Sequence, residues 1–462
     1  MSSETIIAIS TAAGTGAVGM LRISGPEVLR VLQRHCRLVH GDGASVPNFA
    51  AHPRKSFFCR IYDSPHQALD EGLVTFFAGP HSYTGEDTAE LTVHGNPLIL
   101  QDILAAILAA GGSALRPAGP GEFTRRAYLN GRLDLTRAEA VHRIVTARSR
   151  LELQASRKNL YGELSRMVSR FRSAIIHLKA ETEAEVDFST EDLTFESLDA
   201  RRARVRDLLA QLDRLMERGR ETERLGAGIQ VGLVGVPNAG KSSLLNRILG
   251  WDRAIVSPLA GTTRDYLSEE MQLDGVNLRF VDTAGLRETE DAIEEQGVRL
   301  SRQAMLQSQM VLHVIDGASE AYEFPRLETP GVVIHVFNKL DLRDAYTEFP
   351  EYQERIGADA HISISCVTGA GIEELRNLMR TFVFQDPAAA NDPVLLEDRQ
   401  RYHLTQVRNS LANVLKLWDQ GAPDEITALE IDRALEHTGA VAGRIDNEEI
   451  LGRIFSVFCV GK

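Results

Sequence analysis

The residues best suited to chemistry lie in one stretch, Gly235-Val236-Pro237-Asn238-Ala239-Gly240-Lys241-Ser242, set between the apolar run Ile229–Val234 and Ser243-Leu244-Leu245-Asn246. The pattern G-x-x-x-x-G-K-[ST] puts glycines where successive backbone N–H groups must turn inward around phosphate oxygens, at the positive end of a following helix. In that arrangement Lys241 reaches the β- and γ-phosphates and the Ser242 hydroxyl ligates Mg²⁺.

Further pieces follow in an order that narrows the ligand. Asp282-Thr283-Ala284-Gly285 comes after the strand-like Leu278–Val281 and offers a carboxylate to the metal shell and a glycine N–H near a γ-phosphate. Between the two lies Gly261-Thr262-Thr263-Arg264-Asp265, where Thr263 can give the metal a second hydroxyl. Asn338-Lys339-Leu340-Asp341 caps the apolar run Val332–Phe337. The Asp341 carboxylate can accept both N1–H and the exocyclic amine of guanine, whereas adenine would leave it unpaired, a difference worth roughly 10⁴–10⁵ in selectivity. Ser365-Cys366-Val367, after Ile362–Ile364, sits where such sites close over guanine O6, with Cys366 where alanine is common. All five pieces are expected at the carboxyl ends of strands, where open parallel sheets bind ligands. Together they read as a Ras-like GTPase unit.

The elements that must position these residues follow from pattern. With 462 residues and 43% hydrophobic content the chain can hold roughly three domains. A net charge of −13 excludes a protein coated for bulk nucleic-acid binding, so any such contact is a local patch. Cys36, Cys59, Cys366 and Cys459 match no zinc spacing and are expected as free thiols. No run approaches 18 apolar residues and the start lacks leader character, which predicts a soluble cytoplasmic chain without a membrane role. Residues 1–125 alternate strand-like runs (Thr5–Ser10, Val18–Ile23, Leu73–Phe77, Ala89–Val93) with one helix, Pro97–Ala110, and read as an α+β domain. Within it Gly14-Thr15-Gly16-Ala17-Val18-Gly19 spells a dinucleotide fingerprint, but Met20–Ser24 after it reads as a strand and not the helix that fingerprint needs. The polar cluster Pro120–Ala127 and the turn Asn130-Gly131-Arg132 read as a binding surface or an ordinary surface loop. Residues 126–224 read as helical, opened by a capping box at Thr136-Arg137-Ala138-Glu139, with core stripes Leu160, Leu164, Met167, Phe171, Ile175, Leu178 and Val205, Leu208, Leu212, Leu215. From Arg125 to Arg172 there are 12 basic and 4 acidic residues, either a solvated helix face or an RNA-facing patch. The GTPase unit runs over 225–384, and helical character resumes over 385–462 with Leu411, Val414, Leu415, Trp418 and Ile426–Leu435. The whole is a multidomain α/β plus α chain whose helical domain is interrupted by the GTPase. His94 and His437 stand isolated in sequence and read as structural.

Gly121-Glu122-Phe123-Thr124, Pro237-Asn238-Ala239-Gly240-Lys241, Asp282-Thr283-Ala284-Gly285-Leu286-Arg287-Glu288 and the terminal Cys459-Val460-Gly461-Lys462 together resemble the tRNA-modification GTPase family MnmE, also called TrmE, over the whole chain. The resemblance implies an N-terminal domain that binds folate and forms a homodimer. It also implies work with the FAD-dependent protein MnmG, in a heterotetramer, to place a carboxymethylaminomethyl-type group on C5 of the wobble uridine of certain tRNAs. The one-carbon donor would be 5-formyltetrahydrofolate or another one-carbon tetrahydrofolate. Folate contacts fall on Arg22, Glu90, Arg132 and Lys462, with Arg132 where the family usually has Lys. Cys459 matches a tail cysteine open to two readings, modification chemistry or a packed thiol. GTP contacts fall on Asn238, Ala239, Gly240, Lys241, Ser242 and Ser243, on Ser257, Pro258, Leu259, Ala260, Gly261, Thr262 and Thr263, on Asp282, Thr283, Ala284 and Gly285, on Asn338, Lys339 and Asp341, and on Ser365, Cys366 and Val367.

Leu286 stands where many small GTPases carry a water-orienting glutamine, so another polar group must serve. The family's switch glutamate matches Glu294, and a K⁺ ion held by Asn238 with Ser257, Leu259 and Thr262 would take the place of an arginine finger when two GTPase domains pair. The other function open to this sequence is a regulatory GTPase switch in ribosome assembly that modifies no base. The GTPase core fits both; the N-terminal domain and the tail favour the first.

Overall fold

The computed structural model describes residues 4–39, 45–64, 67–187, 196–250, 268–282, 306–319, 329–342, 360–384, 392–443 and 448–461. The chain divides into two compact units, one of residues 1–146, 157–213 and 397–462, the other of residues 147–156 and 214–396.

Alternation of apolar and polar residues builds the sheet of the first unit. Strands β1 (Thr5–Ile9), β2 (Val18–Ser24), β3 (Cys36–Leu38), β4 (Ser56–Ser64), β5 (Gln67–Phe77), β6 (Thr88–His94) and β7 (Leu115–Pro117) lie in the order β3-β4-β5-β6-β2-β1-β7. Only the β1–β7 pair is parallel. Leu21, Ile23, Val74, Phe76, Leu91 and Val93 point to one face, where helices α1 (Val28–His35) and α2 (Pro97–Gly111) cover them with Val28, Leu32, Leu100, Ile103 and Ile107. Because side chains alternate along a strand, Arg22 and Glu90 point to the other face, directly opposite one another in the β2–β6 register. The Gly14–Gly19 stretch leads into β2 and not into a helix, as its sequence requires.

One expectation for this region changes. Pro97–Ala114 is long and apolar enough on average to cross a membrane, but Gln101 and Asp102 interrupt its apolar run, and its α2 part packs Leu100, Ile103 and Ile107 into the sheet core. The Pro120–Ala127 cluster is no loop beyond Gly121 but the start of helix α3 (Glu122–Leu129), which lays Phe123 against Ile6, Ala8 and Ala118 on the Arg22 face of the sheet. Its polar residues are used internally. Arg126, 4% exposed, donates to Glu86 (2.8 Å) and Glu122 (3.1 Å), and Arg116 donates to Glu122 (2.7 Å).

Helices α4 (Leu135–Thr146), α5 (Arg150–Leu160), α6 (Glu163–Asp187) and α7 (Leu198–Gly226) follow. The expected capping box is displaced. Asp134, not Thr136, caps α4, its carboxylate accepting from Arg137 N (2.9 Å) and from the Thr136 hydroxyl (2.6 Å). Glu139 is instead buried and holds Arg399 through both oxygens, at 2.9 and 3.0 Å, in an arrangement that only a long-range partner makes tolerable. The stripes are core as read on α6 and α7, except that Val168 takes the buried place expected of Met167; Leu160, at the end of α5, is only half-buried.

In the second unit, β8 (Ile229–Val234), α8 (Lys241–Leu249), β9 (Ser268–Leu273), β10 (Val276–Asp282), β11 (Met310–Asp316), β12 (Val332–Asn338), β13 (Ala360–Ser363) and α9 (Ile372–Val383) form one sheet of order β13-β12-β11-β8-β10-β9 with its helices. All pairs but β9–β10 are parallel. Back in the first unit, α10 (Asp398–Asp419), α11 (Asp424–Ala442) and α12 (Glu448–Ser456) return. Both α10 and α6 pack on α11, so segments far apart in sequence share one helical core. The two histidines read as isolated have partners: His94 Nδ1 is 2.8 Å from Asp70 Oδ1, and His437 Nδ1 is 3.1 Å from that of His403.

A buried histidine pair sits inside the second sheet. His313 and His335 face each other in the β11–β12 register, almost wholly buried, with Nδ1 atoms 3.1 Å apart. One nitrogen donates and the other accepts, which requires the accepting ring to be neutral. Burial, and then any charge on His335, holds His313 down to about 4, against 6.5 when free. Across that window the unfolded chain binds the extra proton, so stability present above pH 6.5 is lost as pH falls towards 4, by up to about 1.4 kcal/mol per pH unit from this group. Urea midpoints of parent and His313→Gln, followed through the window, should show a flatter acid slope in the variant. Equal slopes would remove the pair as a source of acid sensitivity.

Candidate functional site

The phosphate loop forms where β8 ends and α8 begins. Gly240 caps α8 in the left-handed region at φ +96°, and a Cβ there would lie 2.1 Å from Asn338 Nδ2, so only glycine fits. Asn238 also has positive φ, +64°, a conformation asparagine tolerates better than most residues. Lys241 is buried, and its ammonium donates to Gly235 O (2.9 Å) and Val236 O (3.0 Å), closing the loop on itself. Phosphate oxygens would compete for those donors. Ser242 and Ser243 are exposed at the helix start, as a metal-ligating hydroxyl must be, while Ala239 is buried beneath them.

The base-side residues are brought to this loop by one side chain. Asn338, 3% exposed at the end of β12, donates through Nδ2 to Ala239 O (3.0 Å) and accepts through Oδ1 from Cys366 N (3.2 Å). Ser365 Oγ donates to Asp341 Oδ1 and accepts from Thr368 N (3.1 Å), which orients the carboxylate expected to read guanine. Lys339 adopts φ +67°, a conformation costing of order 1 kcal/mol, and its ammonium reaches Asp316 Oδ2 at 2.6 Å. Cys366 is partly covered, and burial pushes its thiol above the usual range. Val367 is exposed and its carbonyl accepts from Arg247 (3.2 Å). Asp316 was missed by sequence reasoning, although an aspartate closing a buried strand just before Gly317 was its signal.

Not every expected nucleotide residue can be placed. Ser257, Pro258, Leu259, Ala260, Gly261, Thr262, Thr263, Thr283, Ala284, Gly285 and Glu294 lie outside the described residues. The Gly261–Asp265 piece likewise lies outside the described residues, ahead of β9 in sequence. Since β9 runs antiparallel to β10, with Ser268 beside Val281, the start of β9 lies at the same end of the sheet as Asp282. The donor set that is described suits a nucleoside triphosphate: a buried ammonium, a glycine-lined loop at a helix start and an oriented carboxylate on the base side.

A second constellation lies on the open face of the N-terminal sheet. Arg22 donates to Glu90 through Nε (3.0 Å) and Nη2 (2.7 Å), and its guanidinium carbon lies 5.4 Å from the Tyr83 ring centre and 5.8 Å from that of Phe123. Arg22 Nη1 and Ser10 Oγ both donate to Gly461 O, at 3.3 and 3.0 Å. The C-terminal tail therefore returns to the N-terminal domain within one chain. Pro120 and Val460 form a bridge, Gly121 N donates to Cys459 O (3.4 Å), and Phe458 packs on the His142 ring 4.8 Å away. Gly461 has φ +93°, and a Cβ would meet Ile9 O at 2.5 Å. Cys459 is exposed. Arg132 is exposed beside the Thr84–Gly85 turn, and no described contact joins it to Arg22; Lys462 lies outside the described residues. Tyr83 was missed for want of any local pattern.

The pattern described as the MnmE helical domain matches residues 135–459, and that described as GTP-binding protein TrmE N-terminus matches residues 5–132. The tRNA modification GTPase MnmE of Leptospira interrogans is 41% identical over all of both chains. The chain belongs to the MnmE family. Other MnmE relatives include those of Akkermansia muciniphila, 38% identical over 99% of both chains, and Moorella thermoacetica, 37% identical over 100% of both. A solved structure of Era from Aquifex aeolicus is 26% identical and covers 39% of this chain and 66% of its own, with a TM-score of 0.27. As a member of the MnmE family the chain is a GTP-hydrolysing enzyme, and the loop after β8 with the Asn338 and Ser365 segments is its candidate nucleotide site.

Asp341→Asn replaces a double acceptor by a group that presents a donor to guanine N1–H, so GTP affinity should fall at least a hundredfold while xanthine nucleotides gain. Titration with fluorescent GTP and XTP analogues measures both; equal GTP affinity in the two proteins would refute the assignment of Asp341 to the base.

Proposed function

We propose that this chain couples GTP hydrolysis to modification at C5 of the wobble uridine of certain tRNAs, working with an FAD-dependent MnmG partner and a one-carbon tetrahydrofolate. The MnmE relatives carry tRNA modification in their names. The observation that carries the finer reading is the return of the tail to the Arg22–Glu90 pair. A folate has a flat pterin with donors and acceptors and a glutamate tail with two carboxylates, so its site needs a carboxylate for the first and cations for the second. Glu90 and Arg22 supply one of each beside two aromatic rings, and Arg132 and Lys462 would add the further cations. Cys459, exposed next to this group, is available to the modification step. A ribosome-assembly switch would require none of these contacts.

In this reading residues 1–125 bind folate and form the homodimer, 126–224 and 385–462 make the helical domain, and 225–384 hydrolyse GTP in the cytoplasm. MnmG completes a heterotetramer. Mg²⁺, held by Ser242 and Thr263, and K⁺, held by Asn238, Ser257, Leu259 and Thr262, supply positive charge to the triphosphate. Charge of the arginine-finger kind is worth roughly 10³–10⁵ in rate. The Asn238 amide is exposed on the loop and suits a hard cation, and Glu294 orients water in place of the missing glutamine.

Deleting Val460–Lys462 tests the reading in one comparison. Calorimetry with 5-formyltetrahydrofolate should show affinity lower by about 10–100-fold, the scale of one lost charge-assisted hydrogen bond. GTP turnover should stay near that of the parent, and in both proteins should be faster in K⁺ than in Na⁺. Unchanged folate affinity would exclude the tail from the folate site, and equal turnover in the two salts would exclude the ion.

A further inference from the structure

We propose that an exposed strip formed by Arg157, Tyr161, Arg166 and Arg170 docks the sugar-phosphate backbone of tRNA, an inference that rests on the tRNA reading above. A chain of net charge −13 repels a polyanion over most of its surface, so docking needs a local surplus of positive charge. From Arg157 to Arg172 there are five basic residues and one acidic residue. What separates the three arginines of the strip from an ordinary solvated face is that they meet no carboxylate among the described residues. On α7, Arg201, Arg202, Arg204, Arg218, Arg220 and Arg224 each meet a carboxylate. Among the described residues Arg157, Arg166 and Arg170 meet none, and all three are exposed.

The strip is also ordered in space. Tyr161 follows Arg157 by one turn at the end of α5, its N–H donating to Arg157 O (3.0 Å). After the turn at Gly162, Arg166 donates through Nε to Gly162 O (3.2 Å) and through Nη2 to Tyr161 O (3.4 Å), which pins its guanidinium beside the tyrosine. Arg170 lies four residues on along α6, a rise of about 6 Å. Tyr161 is 74% exposed, an unusual place for an aromatic ring unless something stacks on it. Arginines bind phosphate without reading sequence, and a ring between them can stack on an unpaired base, which is the combination RNA-binding surfaces use.

The test uses the full-length protein and a tRNA transcript with unmodified uridine at the wobble position, with binding followed by anisotropy across a KCl series. For Arg166→Glu with Arg170→Glu, affinity should drop tenfold or more, and the slope of log K against log salt should shrink by about 1.4–1.8, the value for two lost phosphate contacts. The neutral Arg170→Gln alone should remove about half of that slope change, and Tyr161→Ala should weaken binding with the slope intact. GTP turnover and melting temperature should stay at parent values. If the parent binds tRNA and the variants match it in affinity and slope, the strip is not the docking surface. If the parent binds no tRNA at all, the tRNA reading falls together with the strip.

Discussion

The candidate GTPase site depends on one buried amide. Asn338 reaches back to Ala239 O in the phosphate loop and forward to Cys366 N in the segment beside the base. A buried side-chain amide that lost either partner would leave polar atoms unsatisfied, at about 1–3 kcal/mol each, so the two loops are held at a fixed separation. Gly240 is glycine because any Cβ would occupy the space of this amide, and Lys339 takes a left-handed conformation in the residue that follows it. The loop expected to grip phosphate and the segment expected to read the base are therefore joined through a single residue at a strand end.

The first unit rests on a different constraint, the alternation of side chains along β2 and β6. Leu21, Ile23, Leu91 and Val93 fill the core, which obliges Arg22 and Glu90 to meet on the opposite face. Left without further cover, that ion pair would contribute little. It is covered by Tyr83, by Phe123 from α3 and by the returning tail, whose Gly461 carbonyl accepts from Arg22. The last residues of the chain thus complete a surface laid down by the first hundred, and the helices between them are the means by which they meet.

How much of this was legible beforehand follows from the range of the interactions. The phosphate loop, Asn338–Asp341 and the strands β8, β10 and β12 are written in local pattern, period and glycine placement, and they lie where expected. The α4 cap, the α3 helix and the burial of Glu139 were misread because Asp134, Phe123 and Arg399 decide them through neighbours that no short window contains. The histidines misled for the same reason: His313 with His335 and His403 with His437 are pairs only after strands or helices are set side by side. Tyr83 has no motif at all, and its place beside Arg22 is a property of the folded sheet.

The most direct test of the central claim is the nucleotide affinity of Asn338→Ala, measured with fluorescent GDP and GTP analogues alongside a thermal melt. Loss of both amide hydrogen bonds should weaken both nucleotides by about 10–100-fold, with the melt showing a folded protein. Parent-like affinity in a folded variant would contradict the account, because the phosphate loop and the base-side loop would then hold their separation without the residue said to join them.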